Sequence, residues 1–162
     1  MIINRIDSCN SVQLFEIYKS LEKDIVWTSF GPLNKQAGLQ YLEQEDPWTS
    51  AVGKSKGRDI EYTALNTFFQ NTEFENIIHK YNLKRTRFMW VGPYTCYSMH
   101  KDISPRIHIP IITNPSCYFV FETGGIVHLE SDGVYWLDTR FNHTFMNCSD
   151  QHRLHLVGVV NE

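Results

Sequence analysis

From Arg85 onward the chain is a succession of short β-rich runs, each closed by a turn signal, and no other feature narrows the possible folds as much. RFMWV (87–91) is followed by Gly-Pro, RIHIPIIT (106–113) runs into Asn-Pro, and CYFVFE (117–122) ends at Thr-Gly-Gly. IVHLE (126–130) and VYWLD (134–138) flank Ser131-Asp132-Gly133, which predicts a hairpin with Gly133 supplying the positive φ of its turn. HTFMNC (143–148) and RLHLVGVV (153–160) complete the set. Short strands at this spacing predict an all-β sandwich or barrel, with any helices packed outside it. Pro110 has no N–H to give to a ladder, so its strand should be an edge or bulged there.

The first part of the chain reads differently. Asn10 or Ser11 is a candidate N-cap for a helix whose apolar face is Leu14, Tyr18, Leu21 and Ile25. Phe74, Ile77, Ile78 and Tyr81 mark the face of a second helix. Between them, EQEDPWTSAVGKSKGRD (43–59) is polar and broken by Pro47, Gly53 and Gly57, so it reads as a long surface loop, either a lid or binding loop or a plain connector. With 162 residues, 42% of them hydrophobic, the chain suits a single domain over 1–162 with a real core. Residues 1–84 form its helical and loop-rich part, and residues 85–162 its β core.

Composition excludes some function classes. A net charge of −3 gives no global field for nucleic acid, and aromatics are not interleaved along a basic groove. The one basic cluster, Lys84-Arg85-Arg87, reads as a solvated strand entry. The N-terminus lacks a long apolar run, so neither a signal peptide nor a membrane helix is expected. Four cysteines at irregular spacings, without a CxxC pair, are expected to be free thiols in a cytoplasmic protein.

HKDISPRIHIP (100–110) carries the chemistry. Side chains alternate across a strand, so Arg106, His108 and Pro110 share one face and Ile107, Ile109 and Ile111 the other. The isoleucines suit a core, and the opposite face must then line water, a ligand or a metal site. His100 and Asp102 begin a two-histidine-one-carboxylate set, which holds one face of an octahedral ion and leaves positions open for substrate and O2. His143 is the candidate second histidine. Arg153, ten residues further on, opens the final strand, where a guanidinium can clamp a carboxylate at two points. A chelating 2-oxo acid with a distal carboxylate would use both the open metal positions and that arginine.

Together these stretches resemble the aspartyl/asparaginyl β-hydroxylase family of Fe(II)- and 2-oxoglutarate-dependent dioxygenases. The matching elements are HKD (100–102), RIHIPI (106–111), DGVYWLDTRFNHTFMN (132–147) and SDQHRLHLV (149–157). The resemblance implies a double-stranded β-helix, the cupin-like jelly roll. It implies Fe(II) on His100, Asp102 and His143, 2-oxoglutarate held at its far end by Arg153, and O2 as the third reactant. It also implies that Arg106 and His108 face the cofactor and substrate. Of the two tyrosines before the H-x-D, Tyr97 rather than Tyr94 is expected to reach the 2-oxoglutarate. Arg106 is expected either to bind a substrate carboxylate or to pair with an acid such as Asp138 on a neighbouring strand.

The expected activity is hydroxylation of an unactivated C–H in a free amino acid, a peptidyl residue or a similar small acid, with release of succinate and CO2. The second reading is a noncatalytic cupin-like protein that binds metal or ligand through the same residues. Arg153 discriminates between them, because a metal store has no need of a carboxylate clamp. The sequence leaves the substrate and the oligomeric state open.

Overall fold

The computed structural model describes residues 2–160. Its elements in chain order are β1 (Ile3–Ser8), α1 (Ser11–Leu21), β2 (Thr28–Ser29), β3 (Asn34–Gly38), β4 (Gln40–Tyr41), β5 (Ala64–Leu65) and α2 (Glu73–Lys80). There follow β6 (Lys84–Val91), β7 (Thr95–Cys96), β8 (Arg106–Ile112), β9 (Cys117–Phe121), β10 (Gly125–Val127), β11 (Gly133–Leu137), β12 (His143–Asn147) and β13 (Arg153–Val159). A seven-stranded sheet runs in the order β1-β11-β8-β13-β6-β3-β2, and a four-stranded sheet in the order β10-β9-β12-β7. Every pairing in both is antiparallel. The fold is a mainly-β jelly roll.

Both helices form where the apolar spacing predicts them. Asn10 caps α1 by accepting the Gln13 N–H at 3.0 Å. Ile25 is buried but lies beyond the helix, after a 3-10 turn. Leu14, Tyr18, Phe74, Ile77 and Ile78 pack with Ile107, Ile109, Ile111, Leu154 and Leu156, so the helices cover the outer face of the large sheet. Each such aliphatic side chain stabilises the fold by about 1.5–3 kcal/mol relative to exposure. A second core of Val91, Phe119, Phe121, Tyr135, Leu137 and Phe145 joins the two sheets. Alternation along β8 therefore sends the isoleucines to the first core and Arg106 and His108 to the space between the sheets.

Several expectations need correction. The first third is not only helix and loop: β1 pairs with β11, and β3 pairs with β6, widening the large sheet at both edges. The predicted hairpin around Ser131-Asp132-Gly133 does not form. β10 pairs with β9 in the small sheet, whereas β11 pairs with β8 and β1 in the large one, so the turn carries the chain from sheet to sheet. Asp132, not Gly133, holds the positive φ, at 61°. Gly133 is required by space, because a Cβ there would meet the Tyr135 ring at 2.3 Å. β8 is interior, and Pro110 sits at a bulge against β13, beyond the last residue that β11 pairs.

The 43–59 segment is not a loose connector but is packed against the rest of the chain. Trp48 packs on Phe68 and Phe69 with ring centroids 5.3 and 5.8 Å away, and Gly38 N–H donates to the Trp48 carbonyl at 2.8 Å. Lys84-Arg85-Arg87 is likewise not a solvated entry, since Arg85 and Arg87 are buried. Arg85 adopts a left-handed φ of 50°, and the register of β6 against β13 shifts at that point. The resulting bulge turns Arg85 towards the 53–59 segment, where it donates to the Gly53 carbonyl at 2.6 Å and to Asp59 at 3.0 Å.

Candidate metal centre and carboxylate pocket

His100 and His143 face each other as an isolated antiparallel bridge, with reciprocal N–H to carbonyl bonds of 2.9 Å. Asp102 follows as the chain turns away, its N–H bonded to the Thr139 carbonyl at 2.8 Å. Thr139 returns a hydroxyl bond to the Ser104 carbonyl, which ties the 98–105 loop to the approach of β12. One ligand atom from each of His100, Asp102 and His143 lies within 4.8 Å of the other two.

Hydrogen bonds fix how these ligands are presented. His100 Nδ1 lies 2.8 Å from the Ser98 carbonyl, and His143 Nδ1 lies 3.0 Å from the Phe141 carbonyl. A carbonyl only accepts, so both Nδ1 atoms carry the proton and both Nε2 atoms keep a lone pair for a metal. Burial opposes the charge on Asp102, but the hydrogen bond and charge of Arg106, with Arg87 and His143, outweigh it and hold the carboxyl below its usual range. Burial also lowers the pKa of His143 and so favours the neutral ring that ligation needs. Two imidazoles and one carboxylate fit a divalent first-row metal with open positions.

Behind Asp102 runs a chain of ion pairs. Arg106 Nε donates to Asp102 Oδ2 at 3.2 Å, and its Nη2 lies 3.3 Å from Asp59 Oδ2, whose other oxygen takes Arg85. The acids that hold Arg106 are therefore Asp102 and Asp59. Asp138, the partner considered from sequence, instead binds Arg140. Among the described residues the Nη1 of Arg106 has no hydrogen-bond partner.

A pocket opens beside the three ligands, lined by Arg87, Met89, Tyr97, Arg106, His108, Phe119, Phe145, Arg153 and Val157. Arg153 is 1% exposed, and its guanidinium lies 3.5 Å from the Phe145 ring centroid and 5.6 Å from that of Phe119. It donates to Nδ1 of His155, and its Nε has no hydrogen-bond partner among the described residues. Burial and the Arg153 charge drive the pKa of His155 well below its usual value, so the ring is neutral and accepts this bond. His108 is also buried and neutral for the same two reasons, and its Nδ1 is unpartnered. The Tyr97 hydroxyl is buried without a bond of normal geometry, although Gln36 lies near enough to act on it. Burial raises its pKa, so it is a neutral donor facing the cavity.

All seven residues singled out from sequence thus meet around one cavity. Sequence reading missed Arg87, Asp59 and the aromatic walls Phe119 and Phe145. Phe145 shares strand parity with His143, and this signal was available. No local signal marks Asp59, because its partners lie on β6 and β8.

The class that the fold defines is the mainly-β jelly roll, here with a two-histidine-one-carboxylate cluster that could hold a metal ion. Within it, the chain belongs to the aspartyl/asparaginyl β-hydroxylase family, whose model matches residues 8–161, and it is a hydroxylase-type oxygenase. Among curated proteins, none matches the chain. Among solved structures, an oxidoreductase of the 2OG-Fe(II) oxygenase family from Burkholderia pseudomallei is similar, with a TM-score of 0.56 at 12% identity, covering 90% of this chain and 76% of that one. A cupin domain from Bordetella pertussis Tohama I matches with a TM-score of 0.41 at 16% identity, over 48% of this chain and 80% of that one. IDO from Bacillus thuringiensis matches with a TM-score of 0.48 at 11% identity, over 92% of this chain and 81% of that one. No helix among the described residues is long and apolar enough to cross a membrane.

Proposed function

We propose that the chain hydroxylates an unactivated C–H of an amino acid, a peptidyl residue or a similar small substrate, using Fe(II), 2-oxoglutarate and O2. The observation that carries this reading is the His100, Asp102 and His143 cluster opening onto a pocket that the buried Arg153 also lines, with no carboxylate among the described residues in a salt bridge to it. Bound there, Fe(II) and 2-oxoglutarate supply the O2-activating chemistry, in which the substrate C–H becomes C–OH as 2-oxoglutarate goes to succinate and CO2.

The residues divide the remaining work. His100 and His143 offer Nε2, and Asp102, kept ionised by Arg106, offers the third ligand. Arg153 takes the distal carboxylate of 2-oxoglutarate, its guanidinium positioned by the Phe145 ring and by His155. His108 and the Tyr97 hydroxyl provide further polar contacts on the same wall, and Phe119 and Phe145 exclude water from the reacting centre. Arg106 steadies Asp102 and offers its free Nη1 to the substrate. Residues 1–84 and 85–162 act as one domain in this reading, because Asp59 of the first part anchors Arg106 of the second.

An anaerobic absorption titration of metal-free protein with Fe(II) and 2-oxoglutarate tests the proposal. A visible charge-transfer band that requires both additions, and weakens in His100→Ala and Arg153→Ala, is the expected result. Stoichiometric metal binding without that band would end the 2-oxoglutarate-dependent reading.

A further inference from the structure

Strand β12 turns alternate residues inward, and three in succession, His143, Phe145 and Asn147, are buried on that face. His143 belongs to the metal cluster, and the Arg153 guanidinium lies over the Phe145 ring. Asn147, 1% exposed, is not part of the pocket wall, yet both ends of its amide are bonded. Its Nδ2 donates to the Gln151 carbonyl at 2.8 Å and the Gly92 carbonyl at 2.9 Å, and reaches the Val91 carbonyl at 3.3 Å. Its Oδ1 accepts the Ser149 hydroxyl at 2.7 Å, the Ser149 N–H at 3.1 Å and the Cys117 thiol at 3.4 Å. Only this orientation of the amide gives the three carbonyls a donor and the Ser149 donors an acceptor.

These partners surround Arg153. β12 lies in the small sheet and β13 in the large one, so residues 148–152 carry the chain from sheet to sheet. Gln151 stands two residues before Arg153 in that crossing, and Val91 is the residue of β6 paired with Arg153. One amide on the histidine-bearing strand therefore ties down the backbone that launches Arg153 and the neighbouring strand at the same level. The Phe145 ring and His155 direct the guanidinium, whereas Asn147 fixes where its backbone begins. Successive inward residues of a strand stand about 6.8 Å apart. β12 thus spaces the metal ligand, the ring beside the guanidinium and the amide behind it at regular intervals.

We propose that Asn147 is a positioning residue that sets the separation between the metal cluster and Arg153, and so selects the chain length of the 2-oxo diacid that spans them. The inference rests on the oxygenase reading and deepens it by naming a residue that governs co-substrate choice without lining the pocket. A diacid of the right length meets the metal and the guanidinium together, and one that is a methylene longer misses at one end. That discrimination needs the sheets held at one spacing where β13 begins. A side chain carried by the small sheet and bonded to the end of β6 in the large one supplies this restraint. Asn147→Asp keeps the shape and the acceptors but turns a carboxylate towards three carbonyls, which lose their donor.

The test titrates Fe(II)-loaded protein anaerobically with 2-oxoglutarate and with 2-oxoadipate, one methylene longer, and follows the charge-transfer band. The parent should favour 2-oxoglutarate. In Asn147→Asp the 2-oxoglutarate midpoint should rise about tenfold and the preference over 2-oxoadipate should fall at least about threefold. The Co(II) midpoint, read without any 2-oxo acid, should move less than about threefold, because the metal ligands share no hydrogen-bond partner with Asn147. Ser149→Ala removes one bond to the same amide and should shift the preference in the same direction by less, and it serves where Asn147→Asp does not fold. Ile78→Ala, a cavity in the outer core, should lower the urea midpoint and leave the preference as in the parent.

A preference unchanged in Asn147→Asp and Ser149→Ala would overturn the proposal, as would a parent that does not distinguish the two diacids or an equal shift in Ile78→Ala. A Co(II) affinity that falls in step with 2-oxoglutarate would limit Asn147 to holding the fold together and overturn it as well. A parent protein that binds Co(II) but forms no band with either diacid fails at the earlier step and takes both readings down.

Discussion

At the residue scale the site depends on which atoms are already engaged. The Nδ1 protons of His100 and His143 are held by backbone carbonyls, so each ring turns its other nitrogen outward. Arg153 lies over the Phe145 ring and is bonded to a neutral His155, and this orients a charge that has no carboxylate partner among the described residues. Arg153→Leu should raise the dissociation constant of 2-oxoglutarate about 10- to 150-fold, the loss expected for charged hydrogen bonds worth about 1.5–3 kcal/mol. Arg153→Lys should not restore it, because an ammonium lacks the planar fork that stacks on the ring. Both are read from the midpoint of the absorption titration, and a shift below about threefold in Arg153→Leu would remove the clamp from the mechanism.

At the element scale the N-terminal part and the β core are joined through Asp59 and the bulge of β6. Asp59 neutralises Arg85 and Arg106 together, at 3.0 and 3.3 Å. Asp59→Asn leaves two buried guanidinium groups short of a counter-charge and should cost about 3–5 kcal/mol. It should also weaken divalent-metal binding by loosening Arg106 behind Asp102. Urea unfolding and a Co(II) titration read the two effects separately, and a metal affinity unchanged in a destabilised variant would limit Asp59 to folding.

The bulge makes its own demand at the same scale. A Cβ on Gly158 would lie 2.9 Å from Leu83 and 3.0 Å from the Thr86 hydroxyl. Gly158→Val should therefore destabilise the chain by about 1–3 kcal/mol through crowding. A urea midpoint equal to the parent's would show that β6 and β13 can part there without cost.

For the whole molecule, the jelly roll keeps an interior of imidazoles and guanidinium groups between its sheets, and this couples folding to pH. His108 and His155 have folded pKa values well below the ordinary 6.5, first because of burial and then because of Arg153. In the unfolded chain both take up protons near pH 6.5, while the folded chain does not. The unfolded state thus binds more protons below that pH, so stability is fully present above it and falls as the pH drops. The slope approaches about 1.4 kcal/mol per pH unit for each histidine. Urea unfolding of metal-free protein at pH 5, 6, 7 and 8 should show this, with a shallower slope in His155→Gln. A midpoint unchanged from pH 7 to pH 5 would contradict it.

The sequence by itself determined the strands from β6 to β13 except the two-residue β7, the two helices and the polar residues that meet at the candidate site. In those stretches the information is local: periods of two and near four, a side-chain N-cap, and polar groups on strand faces that apolar residues oppose. It did not determine which strand lies beside which. β1 and β3 carry little apolar alternation and are strands because β11 and β6 offer them ladders. The turn at 131–133 has hairpin residues, yet its two flanking strands bury different faces in different sheets. Arg85 and Arg87 look like surface cations along the chain, and only the packing of the 43–59 segment and the shift of register on β6 make them interior. Burial and charge pairing are properties of neighbours distant in sequence, and they exist only once the sheets have closed.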